Sequence, residues 1–170
     1  MNETLNTLKT RRACRKYKPE QVKEEDLLAI LEAGTYAPTG MGRQSPLIVV
    51  VQDPADYAET ERLNGGGNGH PFYGAPTVVV VFADPKIPTW VADGNLVIGN
   101  LLNAAASVGV DSCYIWRAAE SFATEDGKKL MKKWGVPEDF RGIGNVILGY
   151  GEEGGKRDPA PRKEGYIIRV

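Results

Sequence analysis

Four cations fall within six residues in Arg11-Arg12-Ala13-Cys14-Arg15-Lys16, and Tyr17 follows. Guanidinium groups present planar forks of N–H that match phosphate oxygens, and a dianion needs donors arriving from several fixed directions. The stretch therefore offers a local anion site. Two blander readings stay open beside it: cations collect at helix C-termini because the macrodipole favours them there, and charge runs often form a solvated face.

A second group of donors lies in Ala37-Pro38-Thr39-Gly40-Met41-Gly42-Arg43-Gln44-Ser45-Pro46. Its prolines and glycines exclude regular structure, while hydroxyl, amide and guanidinium groups crowd into the resulting loop. Asn64-Gly65-Gly66-Gly67-Asn68-Gly69-His70-Pro71 invites a nucleotide-loop reading, but it lacks the Lys-Ser/Thr pair and runs into Pro71 instead of a helix. A surface loop with room for a ligand fits it better. His70, the one histidine, has no Asp, Ser or Cys partner implied nearby and reads as a loop residue, not a general base. No Ser/His/Asp set, pair of catalytic carboxylates or metal cluster is apparent.

The elements that must position these groups come from a chain of 170 residues, 42% hydrophobic and 25% charged, which suits one globular domain spanning 1–170. A net charge of -1 provides no basic field for nucleic acid. No apolar run approaches the ~18 residues of a membrane span, and the N-terminus has no signal-peptide core, so a cytoplasmic protein is expected. Cys14 and Cys113 form no C-x-x-C or zinc pattern and read as reduced thiols.

Leu5 and Leu8 mark a short helix over 3–12 that delivers Arg11 and Arg12 at its end. Acids at 24–26 open a stronger helix reaching about Tyr36. Strands are expected at 47–51, buried on both faces, and at 77–82, 112–116 and 144–150, with helices over 55–63 and 122–134. From Trp90 to Val108 the pattern is helical and apolar nearly all round, with Asp93 its only charge and Gly109 as the C-cap. Such a helix in a small domain must be buried centrally or against a second subunit. The polar, cationic tail of residues 151–163 ends in Tyr166-Ile167-Ile168-Arg169-Val170, whose alternation predicts a terminal strand that pairs at a distance. Interleaved helices and strands predict an α+β fold with a small mixed central β-sheet flanked by helices.

With Arg11-Arg12-Ala13-x-Arg15, Ala37-Pro38-Thr39-Gly40-Met41-Gly42-Arg43-Gln44 and the long helix in view, the sequence resembles the FMN-dependent nitroreductase family. Asn68 ahead of Ala75-Pro76, Asp93 ahead of Asn100-Leu101-Leu102, and Leu148-Gly149-Tyr150 leading into the basic tail agree with it, so the likeness runs from about residue 8 to 163. The resemblance implies a nitroreductase-like fold, a homodimer with the long apolar helix at its interface, and two shared FMN sites. It carries Arg11, Arg12, Ala13 and Arg15 to the flavin phosphate and pyrimidine edge. Pro38, Thr39 and Gly40, with Gln44 nearby, come from the partner subunit. Asn68 matches a ring-binding asparagine, the N–H groups of Trp116 and Arg117 face flavin N5 and O4, and Arg162 and Lys163 return to the phosphate. Ala13 stands where the family usually has serine, Gly42 where it has asparagine, and Trp116-Arg117 where it is commonly glycine-rich.

The implied function is an FMN oxidoreductase passing a hydride from NAD(P)H, a transient donor, to a small electron-poor acceptor such as a nitroaromatic or quinone. No side chain is expected to be catalytic, because the flavin carries the chemistry. The alternative is a non-catalytic FMN-binding or redox-sensing homodimer.

Overall fold

A central strand with valine at four successive positions organises the fold. The computed structural model describes residues 2–66 and 69–170, and within them β1 (Pro46–Val51), β2 (Thr77–Ala83), β3 (Asp111–Ile115) and β4 (Arg141–Gly149) form one sheet in the order β1-β2-β4-β3. Every residue of β2 is buried. Its side chains alternate between two apolar layers, as the period of a strand requires: Val79, Val81 and Ala83 join one, Val78, Val80 and Phe82 the other.

The first layer is closed by α2 (Glu24–Thr35) and α4 (Trp90–Ser107) through Leu27, Ile30, Val97, Ile98 and Leu101. Leu130 and Met131 of α6 (Glu125–Lys133) and Phe122 of α5 (Ala118–Ala123) cover the second, with Tyr57 of α3 (Pro54–Asn64) packed against them. The helix α1 (Glu3–Thr10) buries none of its residues. It is capped by Asn2, whose Oδ1 accepts the N–H of Leu5 at 2.9 Å.

All four strands pair antiparallel, and the parallel character expected of a mixed sheet is confined to a single bridge, Ala13 to Ser112. Strand β1 is only half-buried apart from Val51, because it lies at the sheet edge and lacks a neighbour on one side. The expected helix over 122–134 is two helices. Thr124 interrupts it with an extended backbone, and its Oγ1 accepts the N–H of Gly127 at 3.1 Å to start α6.

The expected first helix stops at Thr10, before the cations. Residues 13–17 are drawn out straight because their N–H groups find tertiary acceptors: Cys14 donates to the Ser112 carbonyl at 3.0 Å and Arg15 to Gly155 at 2.8 Å. Tyr17 bridges to Gly151 and Cys14 to Lys156, so the start of the tail lies alongside this segment. No strand forms over 166–170, and Tyr166, Ile167, Ile168 and Val170 stand exposed. Among the described residues no helix is long and apolar enough to cross a membrane.

Candidate cofactor site

The straightened segment delivers its arginines to one cleft. Arg11, Arg12, Ala13 and Arg15 line a cavity of ≈ 320 Å³ together with Arg157, Asp158, Pro159, Ala160 and Arg162 from the tail. Five guanidinium groups thus face one carboxylate. Neighbouring lysines are neutralised, Lys16 by Glu152 at 2.8 Å and Lys156 by Asp111 at 2.9 Å, whereas none of the five arginines has an ion pair among the described residues. Mutual repulsion of such a cluster falls when an anion enters it.

Arg12 is anchored rather than splayed. Its Nη1 donates to the carbonyls of Lys9 at 2.8 Å and Arg11 at 2.6 Å, while its buried Nε has no partner among the described residues. Ser112, at the start of β3 and 2% exposed, likewise holds a buried Oγ without a partner. Both residues line an adjoining cavity of ≈ 390 Å³ that reaches back to Ala106 and Ser107 at the end of α4. Unpaired buried polar atoms are costly, and two on residues that line one cavity suit a ligand with oxygens to offer.

Both thiols are buried beside the cleft. Cys14 is fully buried with Sγ 3.2 Å from the Lys16 carbonyl, and burial pushes the Cys113 thiol up. Burial also raises the Tyr17 phenol, whose hydroxyl donates to the Cys14 carbonyl at 2.9 Å.

The second donor group sits at the opposite end of α4. Gly40–Gly42 form a single 3-10 turn with Met41, Gly42 and Gln44 at positive φ. The turn is pinned by Asp93, 2% exposed, whose Oδ1 accepts the Gly40 N–H at 3.0 Å and whose Oδ2 accepts Ser45 Oγ at 2.9 Å and Thr89 Oγ1 at 3.0 Å. Burial alone would raise this carboxyl, but the three donors outweigh it and hold it below the usual carboxylate range. Thr39 Oγ1 accepts the Gln44 N–H at 3.1 Å, which closes the loop on itself. Gly40 packs against Thr89 so closely that a Cβ would collide with its side chain.

From Asp93 to Ser107 the helix axis runs about 21 Å at ~1.5 Å per residue. Pro38, Thr39, Gly40 and Gln44 are therefore held far from the arginine cleft of their own chain, and none of them lines it.

At the far end of β3, Trp116 is 66% exposed and Arg117 precedes α5. The Trp116 carbonyl accepts the Ala118 N–H at 2.9 Å, and neither the Trp116 nor the Arg117 N–H has an acceptor among the described residues. Ser112 to Trp116 spans about 13 Å at ~3.3 Å per residue, so one strand edge joins the arginine cleft to these two backbone N–H groups.

Asn68 lies outside the described residues. Lys163 does not line the arginine cleft; its Nζ lies 5.3 Å from the Tyr166 ring centroid instead. His70 is an exposed loop residue with Nδ1 3.3 Å from Glu61 Oε2. Arg157 joins Arg162 in the cleft without a local signal in the sequence, because the bridge of Lys156 to Cys14 brings it alongside the cluster. Ser112 likewise has no local signal, being a hydroxyl among core residues, whereas the anchoring role of Asp93 is foreshadowed by its being the lone acid in an apolar helix.

An antiparallel sheet between two helical layers, with an arginine-lined cleft at one sheet edge, defines an α+β protein. The model described as the nitroreductase family matches residues 8–66. A protein of Archaeoglobus fulgidus whose name suggests an NADH dehydrogenase/NAD(P)H nitroreductase is 31% identical over 88% of this chain and 86% of its own. The crystal structure of a nitroreductase with bound FMN from Bacteroides fragilis is 33% identical and superposes with a TM-score of 0.92 over 100% of both chains. Another nitroreductase with bound FMN, from Desulfitobacterium hafniense, is 28% identical with a TM-score of 0.90, covering 100% of this chain and 99% of that one. The chain belongs to the nitroreductase family and has its fold.

Proposed function

We propose that residues 1–170 form one FMN-binding domain that works as a homodimeric, NAD(P)H-dependent oxidoreductase. The observation that carries this is one strand edge with a cleft lined by five arginines at its start, none of them ion-paired among the described residues, and the Trp116 and Arg117 N–H groups, without acceptors among those residues, about 13 Å further on. FMN has a dianionic phosphate joined by a short polyol to a ring whose edge bears acceptors, and that order of donors fits it. Arg12 Nε and Ser112 Oγ, without partners among the described residues, supply two further polar atoms at the arginine end.

Bound there, FMN would supply hydride transfer, taking a hydride from NAD(P)H at N5 and giving it to a small electron-poor acceptor such as a nitroaromatic or quinone. The chain's part is binding and orientation. Arg11, Arg12, Arg15, Arg157 and Arg162 hold the phosphate, and the 116–117 backbone donors favour electron density at the ring edge. The exposed indole of Trp116 borders the place where an acceptor would arrive. Asn68 would contribute a ring contact.

A second copy is supported by α4. Ala92, Leu96, Gly99, Asn103 and Ala106 lie outside the buried face of this helix, with Leu96 46% exposed and open space around Gly99. Two such helices packed antiparallel about a two-fold axis bring the Asp93 end of one to the Ser107 end of the other. That arrangement supplies Pro38, Thr39, Gly40 and Gln44 to the partner's arginine cleft, which the ~21 Å separation within one chain forbids. The terminal Tyr166, Ile167, Ile168 and Val170 also stand exposed, where a second copy could cover them.

The test is anaerobic mixing of the yellow protein with NADH and with NADPH while flavin absorbance is followed. Bleaching by either donor, then recovery on adding a nitroaromatic or quinone, is expected. Flavin that stays oxidised with both donors overturns the reductase and leaves a non-catalytic FMN-binding homodimer. Protein that neither contains nor takes up FMN overturns both.

A further inference from the structure

We infer that Asn145 is a positioning residue for the flavin-ring edge, acting through the Ile115–Trp116 peptide; this rests on the function proposed above. Asn145 lies within β4, fully buried, and is followed into the core by Val146, Ile147 and Leu148. Its Oδ1 has no donor among the described residues. A buried acceptor left unpaired costs stability, so an apolar side chain of similar volume would suit the core better.

The amide instead donates twice through Nδ2, to the Ile115 carbonyl at 3.0 Å and to Asn64 Oδ1 at 2.8 Å. A main-chain carbonyl can only accept, which fixes the end of the amide that faces it. Asn64 is itself held, donating through its own Nδ2 to the Thr60 carbonyl at 2.9 Å. Asn145 thus fastens the end of β3 to the end of α3, from which the chain runs on into residues 65–74. The two ends are close elsewhere too: a Cβ placed on Gly66 would lie 3.5 Å from Arg117 Nη1.

The Ile115 carbonyl and the Trp116 N–H belong to one rigid peptide plane. A hydrogen bond to the oxygen fixes the rotation of that plane and polarises it, which strengthens the N–H on its other side as a donor. That N–H has no acceptor among the described residues and is one of the two assigned above to the ring edge. Asn145 therefore sets both the direction and the strength of a donor it does not itself share with the ligand. Because N–H dipoles favour a ring that has gained electrons, losing this support lowers the flavin potential.

The experiment compares FMN-loaded wild type with Asn145→Ala, Asn145→Leu and Asn64→Ala by spectroelectrochemical titration, FMN affinity and the visible flavin spectrum. Both Asn145 variants are expected to keep FMN within about tenfold of wild-type affinity, the worth of roughly one hydrogen bond. Their midpoint potential moves to lower values and the flavin band shifts. Asn64→Ala retains donation to Ile115 and moves the potential less, in the same direction. Unchanged potential in folded Asn145 variants overturns the inference. Should neither of those Asn145 variants fold, Asn145→Ser, which keeps a polar atom but is too short to reach the Ile115 carbonyl, decides, and an unmoved potential there overturns the inference as well. Wild type that takes up no FMN overturns the proposed function and this inference together, whereas bound FMN with an invariant potential overturns this inference alone.

Discussion

Asp93 accepts the backbone N–H of Gly40 at 3.0 Å, so the one acid of an otherwise uncharged helix is spent on holding a loop. The loop carries Pro38, Thr39 and Gly40, and the helix is the one proposed above to pack against a second copy. Asp93→Ala leaves the Gly40 N–H and two hydroxyls without their acceptor and is expected to cost about 1–3 kcal/mol. Thermal unfolding measures that loss, and FMN affinity should fall with it, since the partner's cleft depends on the loop.

Acid should reproduce part of that effect. The Asp93 carboxyl is held low by Gly40, Ser45 and Thr89 against the opposing effect of burial. A group depressed in the folded state contributes stability that is complete above its unfolded value of ~3.9 and is lost as pH falls through the folded value. Asp56, held low by donation from Lys133 Nζ at 2.5 Å and Trp134 Nε1 at 2.9 Å, adds loss of the same sign. Wild-type stability should be flat from pH 7 to about 5 and fall below about 4, with a shallower fall in Asp93→Asn.

Asp56→Ala separates folding from binding. It breaks the tie between α3 and α6 on the face of the sheet opposite α4, and about 1–3 kcal/mol of stability should go with it. FMN affinity measured well below the melting temperature should stay at its wild-type value.

The arginine cleft gives a graded series. Arg12→Ala or Arg15→Ala removes charge-assisted bonds of roughly 1.5–3 kcal/mol each, or about 10- to 150-fold in FMN affinity. Arg162→Ala should fall in the same direction because Arg162 lines the cleft, whereas Lys163→Ala should change little. Titration at low and high salt should shrink these differences as screening rises.

Leu96→Glu tests the shared site. In the proposed dimer a carboxylate on the exposed stripe of α4 would be buried among uncharged residues of the partner helix, and that desolvated, unpaired charge should dissociate the dimer. Sedimentation should report monomer, and FMN should be lost with the Arg11–Arg15 segment intact. A stable dimer with unchanged FMN content would separate α4 from the interface.

Local chemistry made much of this legible in the sequence. Clustered arginines, the proline- and glycine-broken loop at 37–46, the valine run of β2 and the apolar length of α4 each state their character through composition and period alone. The order of those features was enough to indicate the family and its fold. Tertiary structure decided the rest, because the deciding interactions join residues far apart in sequence. Ser112 and Gly155 offered acceptors that drew residues 13–17 straight and ended the first helix at Thr10. An open neighbour position left β1 half-buried, and Thr124 found it better to cap a new helix than to continue the old one. The pairings of Asp93 with Gly40 and of Asn145 with Ile115 carry no signature in either segment, since a hydrogen bond across 53 or 30 residues depends on where the sheet and helices bring the chain back.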